Sequence, residues 1–115
     1  MASTADDRLM LTVVLKHDQS KALAAIQGEL VGNGFAAKFP PDGVEVTSWN
    51  VVMGLGQVVT LRFPAHRLRE VNRAIEGTAW GPLRTEIYAT YDFRAIAAEQ
   101  RGGRLTLAGD GNGAP

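Results

Sequence analysis

Gly43-Val-Glu-Val-Thr-Ser-Trp-Asn-Val-Val-Met-Gly-Leu-Gly-Gln-Val-Val-Thr-Leu-Arg-Phe63 contains two runs rich in β-branched residues, joined at Gly54-Leu55-Gly56. Such runs favour strands, and a short glycine-containing loop closes a hairpin. One run extends to about Met53 and the other covers Gln57 to Phe63.

Working outward, Leu9 to Lys16 reads as an earlier strand and Leu83 to Phe93 as a later one, because both are apolar and alternating. Leu23, Ile26 and Leu30 recur at helical spacing between the first strand and the hairpin. Asp18 or Ser20 is positioned to cap that helix, and Gly32-Asn33-Gly34 to end it. Leu68, Val71 and Ile75 give a second helix between the hairpin and the last strand, with Pro64 in its first turn and Gly77 as its stop. Arg94 to Arg101 has the composition of a short additional helix.

The order strand, helix, strand, strand, helix, strand predicts an α+β, ferredoxin-like βαββαβ domain. Its four-stranded antiparallel sheet has the order 4-1-3-2, with two helices on one face. The expected organisation is a flexible tail over 1–8, the domain over 9–101 and a flexible glycine-rich tail over 102–115.

Side chains alternate across a strand, so each run divides into two faces. Leu11, Val13, Leu15, Val59, Leu61, Phe63, Ile87, Ala89 and Tyr91 form the set expected beneath the helices. Met10, Thr12, Val14, Val58, Thr60, Arg62, Glu86, Tyr88 and Thr90 form the other. That second face is too apolar to be left in water and too polar for a deep core, which predicts a homodimer packed sheet on sheet. Thr60, Arg62, Glu86 and Tyr88 are its expected contact residues, with Arg62 and Glu86 candidates to pair across the seam.

With this element order and these face polarities, the chain resembles the dimeric α+β barrel superfamily over about residues 9 to 93. The stretches Leu15-Lys-His-Asp-Gln-Ser-Lys21, Gly43-Val-Glu-Val-Thr-Ser-Trp49 and Tyr88-Ala-Thr-Tyr-Asp-Phe93 also resemble a group of small bacterial proteins without an assigned role. The resemblance implies a barrel made from two ferredoxin-like units. The superfamily includes cofactor-free quinone-forming monooxygenases, muconolactone isomerase-like enzymes and haem-handling proteins. None of their catalytic patterns maps onto this chain residue by residue.

Composition narrows the function classes. Twelve basic and twelve acidic residues cancel, which predicts no general attraction to nucleic acid or membrane. The absence of cysteine removes thiolate metal sites and cysteine nucleophiles, and suits a reducing, cytoplasmic setting. Met1 to Arg8 lacks the apolar core of a secretory signal, and no apolar run approaches the roughly 18 residues of a membrane span. Gln57-Val-Val-Thr-Leu-Arg-Phe63 lacks the aromatic pattern of RNA-recognition domains. Gly54-Leu55-Gly56 joins two strands and lacks a third glycine, so it is not a dinucleotide fingerprint.

Candidate chemistry gathers at the end of the first strand. Lys16, His17, Trp80 and Arg84 are expected near one another, offering cations for a carboxylate and an indole for stacking. His17 is the candidate proton carrier, since imidazole titrates near neutrality. The competing reading is a solvated loop with Trp80 plugging the helix–sheet seam. Trp49 and Tyr91 either line a pocket between helices and sheet or pack as core. His17 and His66 are expected at opposite ends of the sheet, so no metal site is predicted, and no cofactor. The leading expectation is a dimer that binds a small organic acid or aromatic metabolite. A cofactor-independent monooxygenase- or isomerase-like enzyme and a structural or regulatory dimer without a ligand are its alternatives.

Overall fold

A computed structural model describes residues 8–108. Strand β1 is Arg8–His17, followed by helix α1 (Leu23–Asn33) and a single-turn helix α2 (Phe35–Lys38). The hairpin is β2 (Glu45–Val52) and β3 (Gly56–Pro64). A 3-10 turn at Ala65–Arg67 leads into α3 (Leu68–Thr78), then β4 (Leu83–Thr90) and α4 (Arg94–Gln100). The fold is α+β, with one four-stranded antiparallel sheet in the order β2-β3-β1-β4. That is the expected order read from the opposite edge, and it is compatible with a ferredoxin-like arrangement. The single-turn α2 is additional to the expected helices, and the short helix expected at Arg94 to Arg101 forms as α4.

Alternation along the central strands builds the core. Leu11, Val13 and Leu15 of β1 and Val59, Leu61 and Phe63 of β3 are buried beside Ile26 of α1 and Val71 and Ile75 of α3. Both long helices therefore cover the same face of the sheet. β1 runs between β3 and β4, so Val13 lies opposite both Val59 and Ile87.

Local chemistry shifts several boundaries. Ala22 precedes α1 and supplies no side-chain cap. The Asp18 carboxylate instead accepts from the Ser20 N–H at 3.0 Å and the Ser20 hydroxyl at 2.6 Å, bending the chain before the helix. Gly34, at φ 75°, ends α1 by donating to the Leu30 and Val31 carbonyls, as the glycine run predicts. Pro64 closes β3 rather than opening the helix, and α3 continues through Gly77 to Thr78. The Thr78 hydroxyl donates back to the Ala74 carbonyl at 2.6 Å.

β4 stops at Thr90, which removes Tyr91 from the core set; its ring is exposed. Ala89 is exposed as well, so the helix layer covers only part of β4. Of the two expected tails, residues 1–7 and 109–115 lie outside the described residues. Residues 104–108 carry no regular secondary structure.

Candidate functional site

The five residues expected to bind a ligand fall in three places. Lys16 and Arg84 are directly opposed on β1 and β4, on the face away from the helices. Lys16 Nζ lies 3.1 Å from Glu86 Oε2, and the Tyr88 hydroxyl donates to Glu86 Oε1 at 3.1 Å. The bond from Lys16, followed by that from Tyr88, holds the Glu86 carboxyl below the usual carboxylate range. Accepting that bond in return, Glu86 pushes the Tyr88 phenol up.

His17 pairs with Leu83, and its N–H donates to the Leu55 carbonyl at 2.9 Å. Trp80 belongs to the helix side, where its indole N–H donates to the Thr85 hydroxyl at 2.9 Å. The sheet thus divides Lys16 and Arg84 from Trp80. His66 sits in the 3-10 turn after β3, at the opposite end of the sheet from His17.

Trp49 stands two strands from β1, on the helix side of β2. Its ring meets Phe35 and Phe39 edge-on, with centroids 6.4 and 5.9 Å away, while Phe35 and Phe39 stack at 5.3 Å. Its N–H donates to Gln57 Oε1 at 2.6 Å. Trp49 is therefore a packing residue that fastens α2 to the edge of the sheet.

Two other concavities are of ligand size. The larger, about 660 Å³, lies at a corner of the open face. Met10, Thr60 and Arg62 form its floor, the irregularity of β2 at Thr47 one wall, and the connector Tyr91–Arg94 the other. The Thr47 hydroxyl donates to the Thr60 carbonyl at 3.0 Å, closing the bulge. Asp92 receives Arg94 Nε and Nη2 at 2.6–3.0 Å and the Arg94 N–H at 2.9 Å. Those bonds pull its carboxyl down to about 2. Glu45 is held by Arg8 at 2.7 Å. The acidic groups at this corner are already held by guanidinium groups, which gives it the character of a clasped surface.

The second concavity, about 460 Å³, opens on the helix side between α3 and the pair β1–β4. Leu11 and Ile87 form an apolar floor, Leu68 lines the wall, and Arg69 and Asn72 supply the polar groups. The Asn72 amide donates to Glu76 Oε2 at 2.9 Å, which fixes its orientation along α3. It exists because β4 extends beyond the helix layer. Its volume falls within the range of about 300–1,000 Å³ usual for small-molecule sites. Sequence reasoning did not single out Arg69 or Asn72. The available signal was Asn72 four residues after Leu68, a polar residue in line with an apolar one at the start of the buried stripe.

His17 is remote from this cleft. Six residue steps along β1 separate it from Leu11, about 20 Å at strand rise. No protein-family model matches the chain, and it matches neither a curated protein nor a solved structure.

Proposed function

We propose that this chain is a self-associating module that binds a small organic acid, preferably one with an aromatic body, in the helix-side cleft. One observation supports the reading above others: an apolar floor of Leu11 and Ile87 with a guanidinium and an amide beside it. A flat apolar body gains by leaving water against Leu11, Ile87 and Leu68, and a carboxylate on that body gains a charge-assisted bond from Arg69. Asn72 adds a neutral polar contact that fixes orientation.

The protomers associate through the open face, in the manner of the dimeric α+β barrels that the sequence resembles. Met10, Thr12, Val14, Val58 and Thr60 are all half-buried there, uncharged, and across the sheet from the helices. Such a face gains by excluding water against its own copy. The cleft lies on the other side of the sheet, so ligand and partner do not compete.

A thermal-shift comparison of benzoate and phenylacetate with their uncharged amides tests the ligand reading. The acids are expected to raise Tm and the amides to do so less. At one hundred times Kd, stabilisation amounts to about 2.7 kcal/mol. Arg69→Gln is expected to abolish the preference for the acid, weakening its binding about five- to tenfold. The reading fails if no acid stabilises the protein, or if Arg69→Gln discriminates acid from amide as well as the native chain does.

A further inference from the structure

The sheet has two edges, and they are guarded differently. β4 carries Arg84 and Glu86 along its length. β2 has one charge, Glu45, at its first residue, where Arg8 already holds it. The bulge between Val46 and Ser48 interrupts the first part of that edge. From Ser48 to Val52 the strand has no charge, no proline and no further irregularity, and it offers water Val51 at 72% exposure. Unpaired, uncharged apolar edges are what folded proteins ordinarily avoid by charges, bulges or a covering segment.

We propose that β2 pairs antiparallel with β2 of a second copy about a two-fold axis near Asn50, joining two sheets edge to edge. Charge selects this occupant. A β2–β4 contact between copies would set Arg84 and Glu86 against a strand with no charge to answer them. Being head-to-tail, it would also leave one uncharged β2 edge free at the end of the row. The β2–β2 contact sets Trp49 of one copy beside Val51 of the other, brings no like charges together, and pairs the regular stretch of both β2 edges in one step. Glu45 lies five residues from the centre, so the two copies' carboxylates are far apart.

This contact is separate from the open-face association, and sedimentation distinguishes them. Val51→Lys leaves the protomer intact because the side chain is already in water; unchanged far-ultraviolet circular dichroism verifies that. At tens of micromolar, the full chain is expected to sediment at twice the mass of the Val51→Lys variant. With the open-face contact also present the change is tetramer to dimer; without it, dimer to monomer. The starting mass therefore judges the open face and the halving judges β2. Equal masses for the native chain and Val51→Lys, a native chain that is monomeric included, overturn the proposal.

Discussion

Gly56 shows how narrowly one position can be specified. It has φ 144°, and a Cβ built on it would lie 2.0 Å from the Leu15 carbonyl oxygen. Neither atom can withdraw, because both belong to the β1–β3 ladder. Gly54, two residues earlier at φ 83°, would place its Cβ in open space. Gly56→Ala is therefore expected to cost at least about 2 kcal/mol in urea denaturation, and Gly54→Ala only about 1 kcal/mol, from backbone strain alone. Equal costs would show that conformation, not contact, selects both glycines. From sequence, the two are equivalent loop residues. Only the approach of β1, fixed by a pairing forty residues distant, separates them. The same limit governs Lys16, His17, Trp80 and Arg84. Adjacency in the chain brought them to one end of the sheet, but strand parity assigned them to different faces.

Among the elements, α1 and α3 were equally legible from their spacing, and they are unequal in the fold. α3 buries Val71, Ile75 and Thr78, whereas α1 buries Ile26 alone. α3 is also clasped at its start, where Arg67 donates to the Asp42 carbonyl at 2.9 Å and to Glu70 at 2.8 Å. At its other end α1 is tied to α3 by the Asn33 amide, which donates to the Thr78 carbonyl at 3.0 Å. Hydrogen exchange is expected to be faster throughout α1 than in α3, and Ile26→Ala to cost about 3 kcal/mol. Equal protection of the two helices would contradict this. The difference is invisible in the sequence because both helices have apolar residues at the required positions. How far a helix sinks depends on the sheet beneath it. α2 was missed for a related reason: four residues carry too little pattern to register, and the turn is secured by Phe35 and Phe39 packing on Trp49.

Across the whole molecule, the element order was sufficient to predict the sheet order, since few arrangements bury two helical stripes against four alternating strands. The helix-side cleft was not predictable in the same way. It arises where β4 extends past the helix layer, and that overhang depends on element lengths rather than residue types. Self-association belongs at this scale. Tyr88→Asp places a charge on the β4 side of the open face, at a position where the native ring is 53% exposed. It is expected to halve the particle mass independently of Val51→Lys, and the double variant to sediment as a monomer. A Tyr88→Asp protein with native mass would remove the open face from the assembly.

The close approach of Gly56 to Leu15 also bears on how the sheet finds its alignment during folding. A β3 displaced by two residues keeps every apolar side chain pointing the right way, so hydrophobicity alone cannot reject it. One such displacement carries Val58 into the position of Gly56, whose backbone at φ 144° would aim a Cβ at the Leu15 carbonyl oxygen, 2.0 Å away. A single absent methyl group thus acts as a notch, admitting the native alignment and turning that shifted one away.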